Sequence, residues 1–193
     1  MKILIATSNK GKIAEIQSLL SILPIEVITP ADIGLSLEVA ETGDTYLENA
    51  LLKASAYSQA SDLPTLADDT GLEVAALNGI PGIHSARFIN DPNATDKDRR
   101  SLLLSKLQTY ERPWKARFMC AAVLMFPGEA ARHALGECLG EIIPDERGEH
   151  GFGYDAIFLV DGTNKTMAEL SMKEKNEISH RAKAVKALFP FLA

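Results

Sequence analysis

The 193-residue chain has only two cysteines, Cys120 and Cys138, with neither the CxxC spacing nor the histidine partners of a metal site. They are read as buried, reduced thiols, which excludes a disulfide scaffold and points to a cytoplasmic setting. Long apolar runs are missing too. Ile3 to Ala6 is too short for the hydrophobic region of a signal peptide, and no later stretch approaches a membrane span, so a soluble, unprocessed protein is expected. Positive charge is in short supply: 20 Lys and Arg against 26 Asp and Glu give a net charge of −6, so the broad positive field that a nucleic acid polymer needs is absent. Any phosphate bound must be held locally. There is no repeat, low-complexity tract or linker, and the length suits a single domain over residues 1–193.

What is present is an alternation of short elements. Ile3 to Ala6 reads as a buried strand, and Ile13, Ile16, Leu19, Leu20 and Leu23 recur at helical spacing up to Pro24. A short strand is expected over Glu26 to Thr29. A helix opens at Thr45, three residues before Glu48 in capping-box spacing, and a third strand covers Thr65 to Ala67. Thr95 to Leu107 has a helical pattern. Lys115 to Phe126 and Arg132 to Ile143, separated by Pro127-Gly-Glu129, read as the long arms of a β-hairpin. Ala156 to Val160 is a further strand, and one last helix is expected to fill Ser171 to Leu188, with Ser171 and Glu174 again in capping-box spacing. Early β/α alternation followed by an antiparallel hairpin predicts an α/β fold. Its mixed central β-sheet carries flanking helices, and the region of roughly 115–160 forms a second lobe across a substrate cleft.

Several short stretches carry chemistry. Thr7-Ser-Asn-Lys-Gly-Lys12 joins the first strand to the first helix. A helix N-terminus presents unpaired N–H groups, Gly11 admits an anion close to the backbone, and Lys10 and Lys12 add charge. The stretch is neither the P-loop nor the dinucleotide fingerprint, and a solvated helix start explains it equally well. Asp68 and Asp69 follow a strand and precede Thr70-Gly71, which places them at a strand's carboxyl end. Adjacent carboxylates there suit Mg²⁺, one holding metal while the other takes a proton from water; an Asx-turn is the alternative. Glu41, in an irregular segment, and Lys53, one turn after Asn49, are each consistent with ordinary surface.

The stretch His150-Gly-Phe-Gly-Tyr-Asp155 sets Phe152 and Tyr154 on a bendable backbone where a ring can stack on a nucleobase, with Asp155 accepting base N–H groups, or where the aromatics tuck into the core. On the last helix, Lys175 and Ser179, and Asn176 and His180, are spaced i,i+4 on one side, with Arg181 following. These donors suit a carbonyl-bearing ring or a phosphate, the plain alternative being a solvated face.

These stretches occur together and in order: Thr7 to Lys12, Glu41-Thr-Gly43, Glu48-Asn-Ala50 with Lys53, Ala67-Asp-Asp-Thr-Gly71, Pro81-Gly with Ser85-Ala-Arg87, Phe152-Gly-Tyr-Asp155 and Ser179-His-Arg181. The set resembles the inosine triphosphatase family, the dITP/XTP pyrophosphatases or HAM1-like proteins, over nearly the whole chain. The resemblance implies Mg²⁺-dependent hydrolysis of dITP, ITP or XTP between the α and β phosphates, giving the monophosphate and pyrophosphate and cleansing the nucleotide pool.

By that resemblance Thr7, Ser8, Asn9, Lys10, Gly11, Lys12 and Lys53 bind phosphate. Asp69 is the catalytic carboxylate and a metal ligand, Asp68 and Glu41 are candidate metal partners, and Thr70 lies beside the substrate. Phe152, Gly153, Tyr154, Asp155, Lys175, His180 and Arg181 form the base pocket. A homodimer is also implied. Hypoxanthine and xanthine present a 6-oxo acceptor and an N1–H donor, whereas adenine presents a 6-amino group and a bare N1, so donors at His180 or Arg181 and an acceptor at Asp155 separate the two. One departure is visible: the family's FGYD is commonly followed by proline, and here by Ala156, which is expected to loosen the turn. The alternatives are a related pyrophosphatase for other modified nucleotides and a non-catalytic nucleotide-binding module.

Overall fold

The computed structural model describes residues 1–192. Three strands, β1 (Lys2–Ile5), β2 (Glu26–Ile28) and β3 (Thr65–Val74), begin the sheet, with β1 parallel to both of the others. The sheet then turns antiparallel through β5 (Trp114–Met125), β6 (Arg132–Ile142) and β7 (Phe158–Val160), in the order β2-β1-β3-β5-β6-β7, while the two-residue β4 (Pro81–Gly82) adds to β3. The mixed α/β sheet is as expected. Its hairpin arms lie within one residue of the predicted bounds.

Two expectations are corrected. The third strand does not stop at Ala67 but runs ten residues to Val74, because β5 pairs with it throughout, from Thr65↔Met125 to Val74↔Ala116. Across from Asp68, Asp69 and Thr70 lie the small residues Ala122, Ala121 and Cys120. The acid pair is therefore mid-strand. It nevertheless lies just beyond the end of β1, whose pairing with β3 finishes at Ile5↔Leu66, so the carboxyl edge of the parallel portion is still where the acids sit. The last helix is also not continuous. Helix α4 (Met172–Ile178) ends and α5 (His180–Lys186) begins at Ser179, which is extended (φ −69°, ψ 155°) and accepts the Ala182 N–H on its side chain. The break cancels the i,i+4 relation of Asn176 to His180, while Ser179, as the cap of α4, still donates its N–H to the Lys175 carbonyl at 3.0 Å. Asn176 instead donates to the Ser18 hydroxyl.

The other helices form where expected, each closed by a side-chain cap. In α1 (Lys10–Leu20) the Asn9 side chain accepts the Lys12 N–H at 3.1 Å; in α2 (Tyr46–Ser61) and α3 (Asp96–Leu107), Thr45 with Glu48 and Thr95 with Asp98 close capping boxes. Each such cap stabilises its helix by about 1 kcal/mol.

Strand alternation sorts the apolar residues. Ile3, Ile5, Leu66, Ala122 and Leu124 meet α1 and α5 on one face, and Leu4, Ala67, Ala121 and Val123 meet α2 on the other. At the far end Leu72, Val74, Trp114, Phe118 and Phe158 pack with Leu103 and Leu107 of α3. Helix α5 sits tight on β6 because Gly136 has no side chain: a Cβ there would strike the His180 carbonyl. Both cysteines are buried and unpaired, as expected. Among the described residues no helix is long and apolar enough to cross a membrane.

Candidate functional site

A cleft of about 370 Å³ opens where β1 leaves the sheet, between the two ends of the core. Its wall contains Thr7, Ser8, Asn9 and Lys12, then Glu41, Lys53, Asp69 and Thr70, and finally Phe152, Gly153, Tyr154, Asp155, Lys175, His180 and Arg181. Fifteen of the eighteen site residues expected from sequence thus converge on one cavity. Lys10, Gly11 and Asp68 do not line it.

The reason for each exception is local. Lys10 is exposed on the outer side of the first helical turn. Gly11 does not admit an anion: the Phe152 ring occupies the space a side chain would take, so the glycine serves the aromatic. Asp68 follows from the two-residue period of a strand, which sends neighbouring side chains to opposite faces. Asp69 turns to the α2 face and the cleft. Asp68 turns to the α1/α5 face, where its Oδ2 accepts from Lys12 Nζ at 3.2 Å and from Arg181 Nε at 3.0 Å. The acids do not share an ion as the sequence suggested. Burial opposes the Asp68 charge, but Lys12, Arg181 and Lys53 outweigh it and hold the carboxyl well below the usual range.

On the cleft side Lys53 Nζ stands between two carboxylates, 2.7 Å from Glu41 Oε1 and 2.9 Å from Asp69 Oδ1. Arg87 adds a second cation to Glu41 at 2.6 Å. Asn49 ties the arrangement together, accepting the Gly43 N–H at 2.8 Å and approaching Asp69 Oδ2 at 3.5 Å. Asp69 is raised above the ordinary carboxylate range by burial, with Glu41 adding to the effect and Lys53 and Lys12 opposing it.

The other end is a network of buried ions. Arg181 is 1% exposed and its donors are directed inward: Nε to Asp68, Nη1 to Glu15 and Nη2 to Thr70 Oγ1 at 3.3 Å. Lys175 pairs with Glu15 at 2.5 Å and Asp155 at 2.7 Å, and these two acids hold it protonated against its own burial. Phe152 lies beneath both cations, 5.5 Å from Lys175 Nζ and 5.7 Å from the Arg181 guanidinium carbon. Asp155 Oδ2 also accepts the Phe152 N–H at 3.1 Å, closing the loop. His180 stacks on Phe118 with centroids 4.8 Å apart, and its Nδ1 has no partner among the described residues. Burial, with Arg181 and Lys175 beside it, puts this imidazole far below its usual value and keeps it neutral.

Residues outside the sequence reading hold these pieces in place. Asp96 Oδ2 accepts the Gly153 N–H at 2.7 Å and Arg100 donates to the Gly153 carbonyl at 2.7 Å, so α3 grips the aromatic loop from outside. Tyr154 donates to the Ser85 carbonyl at 3.0 Å. Ala156 lies in a short 3₁₀ turn, Asp155–Ile157, fixed by Ile157 N–H to Tyr154 and Arg147 N–H to Ala156, so the turn expected to loosen for want of proline is pinned by hydrogen bonds. Glu15 is the largest omission. Its signal was an acid beside Ile16 and four residues before Leu19 on an apolar helical stripe, a place where a charge needs partners.

The donor set can be tested against a divalent cation. Glu41 and Asp69 bring two hard oxygens to a single point, now marked by the Lys53 ammonium, and such donors fit a metal completed by water and phosphate oxygens. Among the described residues no three acidic, His or Cys side chains gather as a metal cluster.

The whole chain, site included, has relatives. It matches the Ham1 family over residues 3–191. It is 46% identical to a dITP/XTP pyrophosphatase of Aquifex aeolicus, over 97% of this chain and 95% of that protein, and 43% identical to a dITP/XTP pyrophosphatase of Bacillus subtilis, over 98% and 96%. The solved Ham1 protein of Staphylococcus aureus superposes with a TM-score of 0.84 at 41% identity, covering 100% of this chain and 98% of that one. A HAM1 protein from Coxiella burnetii gives 0.87 at 40% identity, with the same coverage. Sequence similarity and superposition run from end to end, and the chain belongs to the Ham1 family.

Proposed function

We propose that the protein hydrolyses the deaminated purine nucleoside triphosphates dITP, ITP and XTP to the monophosphate and pyrophosphate. The observation that carries this reading is the span of one cleft. Cations and hard oxygen donors at Lys12, Glu41, Lys53 and Asp69 occupy one end, and an aromatic with paired donor and acceptor groups, Phe152, Lys175 and Asp155, occupies the other. A charged tail and a flat polar ring are what such a cleft accommodates.

Thr7 and Ser8 offer hydroxyls to the phosphates, and Lys12 and Lys53 add charge. The N–H groups of Ser8 and Lys10 have no partner among the described residues, whereas those of Thr7, Asn9 and Lys12 are taken by Ile5, Thr7 and Asn9. Glu41 and Asp69 would hold a divalent cation, taken to be Mg²⁺, which when bound neutralises phosphate charge and orients water. Asp69 accepts the proton of the attacking water, and its Lys53 and Asn49 neighbours fix the carboxylate that does so. Asp68 is left out of this chemistry and acts through Lys12 and Arg181. At the base end, Asp155 Oδ1 has no protein partner among the described residues, and Lys175 has one N–H beyond its two ion pairs. An acceptor beside a donor matches N1–H and the 6-oxo group of hypoxanthine or xanthine and opposes adenine.

In this reading the chain is one domain whose hairpin end forms the second lobe. A homodimer in the cytoplasm is proposed from the family resemblance, and sedimentation checks the oligomer.

The deciding experiment incubates the protein and Mg²⁺ with dITP, XTP, dATP or dGTP and measures pyrophosphate and free phosphate. Pyrophosphate from dITP and XTP, little from dATP, and loss of both with a chelator are expected. Free phosphate would place cleavage at the γ position and overturn the mechanism. Nucleotide binding without product would instead establish a non-catalytic module, and turnover of other modified nucleotides alone would establish the related pyrophosphatase.

A further inference from the structure

Glu15 is 4% exposed, on the same helix whose first turn faces the phosphate end of the cleft, yet its carboxylate points to the base end. Oε1 meets Lys175 Nζ at 2.5 Å and Oε2 meets Arg181 Nη1. Burial raises the energy of its charge, and Arg181 and Lys175 outweigh that cost and keep it ionised. Glu15 does not itself line the cleft.

From this arrangement we infer that Glu15 is a positioning residue for purine selectivity: it fixes which N–H groups of Lys175 and Arg181 remain to face a base. The inference rests on the proposed pyrophosphatase activity. A lysine ammonium has three N–H groups. Glu15 and Asp155 take two, leaving one in a fixed direction. A guanidinium has five, and Asp68, Glu15 and Thr70 take three. One Lys175 donor and two Arg181 donors therefore remain, and the Lys175 donor stands beside Asp155, whose Oδ1 has no partner among the described residues, the complement of a 6-oxo, N1–H edge.

Glu15→Gln removes this control with almost no change of volume. A carboxylate offers one oxygen to each cation; an amide has a single oxygen, and its NH₂ confronts the other cation. One of the two is released. A Lys175 ammonium free to turn can donate to the bare N1 of adenine while Asp155 accepts from the 6-amino group. Discrimination then falls by about tenfold, the equivalent of one hydrogen bond of about 1.4 kcal/mol.

The test measures kcat and KM for pyrophosphate release from dITP and dATP with wild type, Glu15→Gln and Glu15→Asp, alongside thermal melting. The expected result is a kcat/KM ratio of dITP to dATP about tenfold lower in Glu15→Gln, mainly because KM for dITP rises and KM for dATP falls. Glu15→Asp keeps the charge but, one methylene shorter, reaches only one cation, and an intermediate ratio is expected. A purely structural role would lower both substrates together and leave the ratio alone. An unchanged ratio in a folded variant overturns the inference while the activity stands. No pyrophosphate from wild type overturns the activity and the inference with it. Failure of both variants to fold makes Glu15 a structural tie and overturns the inference alone.

Discussion

The ring of Phe152 rests on the bare backbone of Gly11, so the loop for the base and the turn for the phosphates touch at a point where any side chain would collide. The contact joins residues 141 apart in sequence. Gly11→Ala forces either the ring or the helix start to move, at a cost of about 1–3 kcal/mol typical of overpacking. Because Phe152 also underlies Lys175 and Arg181, the displacement disturbs the base end. The expected outcome is a KM for dITP raised about tenfold or more with the far-UV spectrum retained. An unchanged KM would mean the ring is free to sit elsewhere.

The acid pair yields two opposite outcomes from neighbouring positions. Asp69 faces the cleft and its charge is disfavoured by burial, so Asp69→Asn is expected to lower kcat by about 10²–10⁴, as loss of a general base does, with little loss of stability. A variant that keeps wild-type turnover would remove Asp69 from the assigned role. Nucleotide binding and melting temperature, measured on the same preparation, separate lost chemistry from lost structure.

Asp68→Asn should behave in the other way. It leaves Arg181, 1% exposed, and Lys12 facing a neutral amide inside the protein. Breaking a buried ion pair on one side costs about 3–5 kcal/mol. Urea denaturation should show this loss, and a variant as stable as wild type would mean that Arg181 finds another partner.

These two residues also show where the sequence was legible. Two caps announced themselves because Ser or Thr three residues before Glu has one good use, and Thr45 and Ser171 both fulfil it; Thr95 with Asp98 closes a third box that the helical pattern alone did not single out. The motif residues were legible as a set because they recur in order, and fifteen of them meet in the cleft. The extension of β3 was not, because Asp68-Asp-Thr-Gly71 has poor strand propensity and is held by pairing to a strand fifty residues away. That strand was expected, but its pairing with Asp68 to Gly71 was not, and without the pairing the opposite orientation of the two carboxylates was hidden as well. The break at Ser179 was masked by apolar periodicity continuing through it. Glu15 and Asp155 became intelligible only once Lys175 was placed between them.

The neutral, buried His180 makes a prediction about pH and stability. Its folded pKa is depressed, while in the unfolded chain it titrates near 6.5, so below that pH the unfolded state binds a proton that the folded state does not. Stability must therefore fall as pH drops through 6.5 and continue to fall toward the depressed folded value. Arg181, Lys175 and Lys12 oppose the charged ring and only Asp68 favours it, so the direction is set by the cluster as well as by burial. Between pH 7.5 and pH 5.5 this one group therefore lowers stability, as the unfolded chain takes up a proton that the folded protein does not. His180→Gln is expected to be less stable at pH 7.5, since the stack on Phe118 is lost, but to lose less stability than wild type over the same interval. Denaturant curves for both proteins at the two pH values measure the difference, in which the contributions of the other three histidines cancel. Equal losses in wild type and variant would show that His180 takes up its proton in the folded protein.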